Sequence, residues 1–319
     1  MSGWIKEGLL RASRAGGLFA LSRRASRRSL RILAYHGLWT TPGYQYGNHL
    51  FITPEQFERR MIWLRNSRYP VLPLGEAVQR LDEGSLPDHA VVITIDDGWS
   101  STSTHMLPIL ERLGLPATVY VTTWYSDHRL PVVNVAVDYI LRRAGQSPDE
   151  APGITNEITK LPSLPEREQA LRDCAARFDV TTEEWWEGRQ FHLMNPAEIR
   201  EADRRGFDIQ LHTHRHRPSD LKREIADNRA ALAKACGRPE HSFNHFCYPR
   251  GVAHPSAIAV LKGAGVKSAT LTEGGINLPG TDPYRLRRCL DGRSVSEAAF
   301  HAYLSGALEL YCRVKSSVE

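Results

Sequence analysis

Short runs of β-forming residues alternate with amphipathic segments along most of the chain. The run at residues 90–95 is almost continuously apolar, which is typical of a parallel strand covered on both faces. Other runs are shorter but have strand-forming composition. We predict six strands, at residues 31–36, 90–95, 117–123, 207–211, 243–248 and 266–271.

Helix start and stop signals lie between these runs. Thr53, Pro54 and Gln56 form the pattern of a helix N-terminus, with a capping hydroxyl, a proline in the first turn and a glutamine three residues after the cap. We predict a helix after Thr53 and further helices at 104–113, 195–206, 219–236, 255–264 and 296–311. Strands that alternate with helices predict an α/β fold with a parallel sheet, either open or closed into a barrel.

A long segment, about residues 124–195, interrupts this alternation and exceeds any ordinary loop between a strand and a helix. It contains a helical pattern near residues 135–143. In parallel α/β folds such insertions usually lie at the carboxyl end of the sheet, where ligands bind. Two interpretations of this insertion remain: a peripheral helical decoration and a cap over the substrate. We divide the chain into a basic arm (1–30), an α/β body (31–290) and a C-terminal helix (291–319).

The composition is that of an ordinary globular protein: 319 residues, 41% hydrophobic and 24% charged. The formal net charge of +5 at first suggests a nucleic-acid partner. However, residues 1–31 contain eight basic residues and one acid, so the rest of the chain is slightly acidic. We therefore expect no nucleic-acid partner. Five scattered cysteines without CxxC spacing indicate reduced thiols in a cytoplasmic protein.

Polar residues suited to metal binding and proton transfer follow four of the predicted strands. They are His36, the pair Asp96 and Asp97, the motif His212-Thr213-His214-Arg215-His216, and the turn Pro249-Arg250-Gly251. Because the carboxyl ends of parallel strands meet at one edge of a sheet, we expect these residues to lie close together.

Each of these elements also has a purely structural interpretation. Adjacent aspartates often form a turn or a helix cap, and a histidine-rich loop can lie on the surface. His36 can be a hydrogen-bonded histidine at the rim of the core. His212 and His216, four residues apart, can share one face of a helical turn and chelate a metal. Together the residues supply three metal ligands, a spare carboxylate and a spare imidazole, which is the equipment for metal-assisted hydrolysis.

The segment from Ile93 to Thr123 resembles the first motif of the NodB-type polysaccharide deacetylases, carbohydrate esterase family 4. His212 to His216 is similar to the H-[ST]-x-x-H metal motif of that family. The resemblance covers roughly residues 30–275. It implies a distorted (β/α) barrel of about seven parallel strands. It also implies removal of N- or O-acetyl groups from amino sugars and related glycans with a divalent metal, commonly zinc.

Carried over by position, the resemblance assigns Asp97, His212 and His216 as metal ligands. It assigns Asp96 as the general base. An open metal site of this kind activates water and polarises an acyl carbonyl. An acid must then protonate the departing amine.

Two features depart from the common family pattern. The third motif, R-x-P-x-G, occurs here as residues 247–251 (CYPRG), so Cys247 stands where an arginine normally braces the base. The late L-x-H motif that supplies the acid is not evident after residue 275. Both departures resemble the poly-N-acetylglucosamine deacetylase branch, in which an early Tyr-His opens a circularly shifted domain. Tyr35-His36 is similar to that arrangement, which assigns His36 as the general acid.

Three further residues are candidates for substrate contacts. The main-chain N–H near Arg250 is a candidate for the oxyanion hole, and the neighbouring Tyr248 is a candidate substrate contact. Trp99 directly follows Asp-Asp-Gly, where it could stack on a sugar or pack in the core.

We expect a metal-dependent hydrolase that removes an N-acetyl group from an amino sugar of a polysaccharide or lipid-linked glycan. Two alternatives stay open. One is a deformylase or deacylase of a lipid-linked amino sugar, which would use the same residues. The other is a non-catalytic glycan-binding protein that kept the barrel.

The basic arm interleaves arginine and lysine with tryptophan, leucine and phenylalanine over residues 1–30. This pattern is typical of an interfacial helix on an anionic membrane. An ordinary terminal helix is the alternative. We expect a cytoplasmic protein that the arm can hold peripherally on the inner face of the cell membrane.

Overall fold

Seven parallel strands form one sheet at the centre of the computed structural model, which describes residues 17–309. The strands are β1 (Arg31–Tyr35), β2 (Val91–Ile95), β3 (Thr118–Val121), β4 (Asp208–Leu211), β5 (His245–Cys247), β6 (Ser268–Thr270) and β7 (Cys289–Leu290). Their order in the sheet is β6-β5-β4-β3-β2-β1-β7. All six strands predicted from the sequence are confirmed, each shortened at one or both ends.

The strand missed by the sequence pattern brings the two edges of the sheet together. Leu286 forms a parallel bridge with Thr270 of β6, and three residues later β7 pairs with β1. The segment is short and contains Arg287 and Arg288, so it lacks the apolar run that marks the other strands. The curled sheet and its surrounding helices confirm the expected distorted (β/α) barrel.

Helices cover the sheet and form the insertion. They are α1 (Leu18–Ala25), α2 (Pro54–Asn66), α3 (Leu74–Asp82), α4 (Leu107–Arg112), α5 (Trp124–His128), α6 (Val133–Arg143), α7 (Ala151–Lys160), α8 (Leu164–Arg177), α9 (Glu183–Glu187), α10 (Pro196–Arg204), α11 (Leu221–Cys236), α12 (Pro255–Gly263) and α13 (Glu297–Leu304). A π-helical turn, Thr102–Met106, precedes α4. Within residues 17–309, none of the helices combines the length and apolar character that crossing a membrane requires.

The capping signals read from the sequence have the predicted geometry. The Thr53 hydroxyl accepts a hydrogen bond from the Gln56 amide at 3.2 Å, at the start of α2. Asn195 and Glu198 form a reciprocal capping box at the start of α10. The C-terminal helix begins after Ser296 as predicted, but it ends at Leu304, with Gly306 in a left-handed conformation (φ 77°), instead of continuing towards residue 311.

The insertion has a hydrophobic core of its own, separate from the main core between sheet and helices. Helices α5 to α9 surround buried side chains that include Tyr139, Leu171 and Trp185. Trp39 and Phe51, from the loop after β1, are part of the same cluster. The insertion therefore packs against the loops at the carboxyl end of the sheet rather than extending freely into solvent.

Candidate active site

The Asp-Asp-Gly turn places two carboxylates at the end of β2. Asp96 continues the strand, and its amide donates to the Tyr35 carbonyl at 2.8 Å. Asp97 and Gly98 then both adopt left-handed backbone conformations, with φ of 68° and 77°. Aspartate is among the few non-glycine residues that tolerate this region. The sharp turn sends the two adjacent carboxylates to different places, so they can have different roles.

Asp97, His212 and His216 come together as a candidate metal centre. One potential ligand atom from each residue lies within 4.8 Å of the others. Asp97 Oδ1 is 3.1 Å from His212 Nε2 and 3.5 Å from His216 Nε2. One carboxylate and two imidazoles with their nitrogens directed at one oxygen form a donor set that suits zinc and similar divalent ions. The described residues therefore fit the metal that the sequence predicts.

The register of the sheet orients His212. Leu211 of β4 pairs with Phe246 of β5, so His212 and Cys247 follow at neighbouring strand ends. His212 Nδ1–H donates to the Cys247 carbonyl at 2.8 Å, because a carbonyl oxygen can only accept. In the neutral tautomer that this bond selects, the lone pair lies on Nε2, which is directed at Asp97. Without a metal, the surrounding Cys247 and Asp97 groups raise the pKa of His212 against the effect of burial. An outer hydrogen bond of this kind fixes the tautomer and the ring orientation of a metal-binding histidine.

The expectation of a helical turn at the histidine motif is wrong. Residues 212–218 form an irregular loop, in which Thr213 and His216 have positive φ angles of 64° and 55°. These two left-handed residues fold the chain back, so the two imidazole centroids are 4.9 Å apart. His214 points elsewhere and bonds through Nδ1 to the Thr123 hydroxyl at 2.8 Å.

Asp96 is buried and bound by an arginine that sequence reasoning missed. Both Arg288 terminal nitrogens donate to the two carboxylate oxygens, each at 2.7 Å. The side chain of Arg288 is fully buried; its Nε donates to the Leu271 carbonyl, and one terminal nitrogen lies 3.1 Å from Cys247 Sγ. The arginine absent from position 247 is thus supplied from the segment that ends in β7, with the smaller cysteine beneath it.

His36 lies on the other side of Asp96. Tyr35 pairs with Ile95, so His36 and Asp96 follow at neighbouring strand ends. His36 Nε2 is 3.7 Å from Asp96 Oδ2, and its side chain is 11% exposed. Its Nδ1 is buried and has no hydrogen-bond partner among residues 17–309.

The electrostatic environment separates the protonation states of these groups. Burial by itself raises the pKa of Asp96, but the charge and hydrogen bonds of Arg288 outweigh it, so the pKa of Asp96 is lowered. Burial lowers the pKa of His36, against the attraction of Asp96 and Asp97. Burial also lowers the pKa of His216 to about 4. At neutral pH Asp96 is therefore an ionised carboxylate, and His216 is a neutral imidazole able to bind a cation.

The three weaker candidates have other surroundings. Tyr248 is buried, and its hydroxyl donates to the Tyr284 carbonyl at 3.2 Å, so it contributes to the fold. Arg250 is exposed in a turn, with φ of 60°. Trp99 is only 4% exposed and packs edge-on against Phe51, which leaves little ring surface for stacking on a sugar.

Arg288 had one indirect signal in the sequence. By the family resemblance, position 247 would hold an arginine beside Asp96, and the cysteine there left room for a cation from another strand. Residues 286–291 read apolar-polar-polar-apolar-apolar-polar, which is not the alternation of a strand, so the sequence pattern did not indicate one there. Trp99 was noticed for its position after Asp-Asp-Gly, whereas its hydrogen bond to Asp97 has no signature in a linear sequence.

Comparison with known proteins identifies the family and the fold of this chain. The family model described as "Polysaccharide deacetylase" matches residues 83–269. The "Putative polysaccharide deacetylase YxkH" of Bacillus subtilis (strain 168) is 32% identical over 101 residues, which is 31% of this chain and 34% of that protein. The match thus spans about a third of the length of that relative.

Solved structures share the fold at low identity. The Streptococcus pyogenes deacetylase PplD, in complex with acetate, has a TM-score of 0.60 and 16% identity, covering 86% of this chain and 98% of that one. IcaB from Ammonifex degensii has a TM-score of 0.58 and 19% identity, covering 87% and 97%. The family match includes the Asp-Asp-Gly turn and both metal-motif histidines. The chain belongs to the polysaccharide deacetylase family.

Proposed function

We propose that this protein is a metal-dependent hydrolase that removes an N-acetyl group from an amino sugar of a polysaccharide or a lipid-linked glycan. One observation carries the proposal. Asp96 and His36 lie beside each other at the strand ends that also hold Asp97, His212 and His216. A base, an acid and a three-residue ligand set are the parts that amide hydrolysis needs.

Asp97, His212 and His216 would hold a divalent metal, for which we propose zinc. When bound, such an ion supplies Lewis-acid activation of a water molecule and of the acyl oxygen. The remaining chemistry belongs to side chains of the chain itself. His216 is 39% exposed, so the ligand set is open to substrate on its side.

Asp96 is placed to act as the general base. Its ionised carboxylate accepts a proton from the attacking water as the water oxygen bonds to the acyl carbon. The C–N bond then breaks as His36, in the protonated form that its lowered pKa makes the minor one at neutral pH, donates a proton through Nε2 to the departing amine. Because its pKa is lowered, protonated His36 is a stronger acid than a free imidazolium. The products are acetate and a free amino sugar.

We expect the purified protein to release acetate from an N-acetylated glycan, and chelation to abolish the release. Substrates would include an N-acetylglucosamine polymer and a lipid-linked N-acetyl sugar, each tested with added zinc, added cobalt and chelator. Activity should return when metal is restored. Failure to release acetate with metal bound would contradict the proposal.

An acyl panel separates this proposal from its near alternative. N-formyl and longer N-acyl forms of the same sugar would be compared at equal concentration. Preference for a formyl or a long acyl group would change the assigned substrate but keep the mechanism. Glycan binding without turnover of any acyl group would indicate a non-catalytic module, although the Arg288–Asp96 pair opposes that interpretation.

We also propose that the basic arm binds anionic lipid on the cytoplasmic face of the membrane. Residues 1–16 lie outside the described residues, so the support comes from α1 and the turn after it. Leu18 and Leu21 are 40% and 67% exposed. Next to them Arg23, Arg24 and Arg27 line a cleft of about 550 Å³. Apolar side chains beside arginines suit an anionic lipid surface.

The cleft also includes His89, just before β2, whereas Asp96 follows that strand. Lipid bound at α1 would therefore lie at the end of β2 opposite to the candidate active site. The proposed contact concerns where the protein resides, and it leaves the active site accessible to a glycan.

We expect the full chain to float with vesicles that contain phosphatidylserine and not with neutral vesicles, and more at low than at high salt. L18N/L21N should reduce flotation several-fold. L278N, which replaces a leucine of similar exposure (36%) elsewhere, is the matched control. Equal flotation with anionic and neutral vesicles would contradict the proposed binding of the arm to anionic lipid.

A further inference from the structure

We infer that Trp99 is a positioning residue for the metal-binding carboxylate Asp97, and that the helical insertion holds Trp99 in place for this purpose. The inference rests on the proposed metal site. It starts from how the two oxygens of Asp97 are used. Oδ1 faces both imidazole nitrogens, whereas Oδ2 accepts a hydrogen bond from the Trp99 indole N–H at 2.9 Å.

Because the two carboxylate oxygens of Asp97 have different partners, rotation of its side chain is restricted. Asp97 itself has a left-handed backbone conformation just after a strand, and side-chain rotation would otherwise exchange its two oxygens freely. A donor on Oδ2 keeps Oδ1 directed at His212 and His216. Hydrogen bonds from outer residues to a ligating carboxylate commonly contribute about 10–100-fold to metal affinity or activity.

The indole itself is immobilised by the insertion. Gly98 to Ser100 lie antiparallel to residues 192–194: the Met194 amide donates to the Gly98 carbonyl at 2.7 Å, and the Ser100 amide donates to the His192 carbonyl at 2.8 Å. The Ser100 hydroxyl also donates to the Arg189 carbonyl at 2.6 Å. Hydrogen bonds from the last residues of the insertion therefore hold the backbone on both sides of Trp99.

The loop after β1 packs against the Trp99 ring. The Phe51 ring lies edge-on to the indole, with centroids 4.9 Å apart. Gln190 of the insertion donates to the Leu38 carbonyl at 3.0 Å and accepts from the Thr40 amide at 2.8 Å. The insertion thus connects the loop after β1 to the Asp-Asp-Gly turn. This role differs from both a peripheral decoration and a cap over the substrate.

The same cluster contains a matched control. Trp39 is 3% exposed and packs against Phe51, Tyr139 and Phe191, much as Trp99 packs against Phe51. However, its indole nitrogen has no hydrogen-bond partner among the described residues. Trp39→Phe and Trp99→Phe remove the same atoms from one hydrophobic cluster, but only the second removes a donor to Asp97.

The test compares metal affinity with stability of the metal-free protein. Wild type, W99F and W39F would be stripped of metal, and zinc affinity measured by competition with a chromophoric chelator. We expect zinc to bind W99F about 10–100-fold more weakly than wild type, and W39F within about threefold of it. Both variants should lose similar thermal stability without metal. Cobalt absorption should change in intensity or position for W99F only.

The outcomes separate this inference from the proposed function. If wild type binds zinc and W99F binds it equally well, Trp99 does not position Asp97, and the proposed hydrolase stands. If W39F loses as much affinity as W99F, general packing explains the effect and the inference is overturned. If wild type binds no metal under any condition, the proposed metal-dependent function fails first.

Discussion

Asp96→Asn is expected to lower the rate of acetate release by about 10²–10⁴-fold while zinc still binds. The amide has nearly the shape of the carboxylate but cannot accept a proton from water. Asp96 is not one of the three clustered ligand residues, so metal affinity should stay near that of wild type. The measurement is kcat for acetate release at saturating zinc, with bound metal counted in the same sample.

The control must account for the ion pair that this change breaks. Asp96→Asn leaves Arg288 buried with no carboxylate, which destabilises the fold as well as the reaction. Asp291→Asn breaks another buried ion pair, in which Asp291 Oδ2 lies 2.9 Å from Arg60 Nε without the paired hydrogen bonds of Arg288 and Asp96, and it does not touch the base. Per folded molecule, D291N should keep activity within about tenfold of wild type. An active D96N, or a D291N that is equally inactive, would remove Asp96 from the role of base.

Arg288→Gln is expected to lower the free energy of unfolding by about 3–5 kcal/mol and to raise the pKa of the base. The stability loss follows because a buried carboxylate remains without its cation. The pKa rises because burial then acts without the opposing charge; an adjacent cation typically lowers a carboxyl pKa by about 1–3 units. The acid limb of the pH profile of kcat/KM should therefore move to higher pH. Urea unfolding and a pH–rate series measure the two effects.

Two further variants test whether both effects of Arg288→Gln arise from the loss of the ion pair with Asp96. Arg288→Lys keeps the charge but not the paired hydrogen bonds, so its acid limb should lie between those of wild type and R288Q. The double variant D96N/R288Q removes both charges, so it should be more stable than the sum of the two single losses predicts. Strict additivity, together with an unmoved acid limb, would show that Arg288 does not act through Asp96.

Local signals in the sequence predicted much of the fold. A nearly continuous apolar run located β2, because a strand covered on both faces must be apolar, and strand-forming composition located five further strands. Thr53 and Asn195 marked helix starts because capping involves residues only two or three positions apart. The seventh strand was missed, because its paired part is two residues long and Arg288 interrupts its apolar character.

The candidate site was only partly readable in the same way. The positions of Asp96, Asp97, His212, His216 and His36 after strands indicated that they would meet at one edge of the sheet. Their contacts with residues of other strands and of the insertion could not be predicted from the sequence, because these contacts depend on long-range strand register. The helical turn expected at His212–His216 is instead a loop with two left-handed residues, since both imidazoles must reach the same carboxylate oxygen.

The sequence alone determined that this chain builds a parallel α/β sheet with candidate acid–base and metal-binding residues at its carboxyl edge. Strand patterns and short motifs depend on residues that are close together in the sequence, so they can be recognised without the structure. Only the tertiary structure decided that Arg288 pairs with Asp96 across 192 positions, that the Cys247 carbonyl orients His212, and that residues 192–194 of the insertion bond to the backbone on both sides of Trp99. These contacts join residues brought together by the closing of the sheet and the docking of the insertion, and no local pattern encodes such distances.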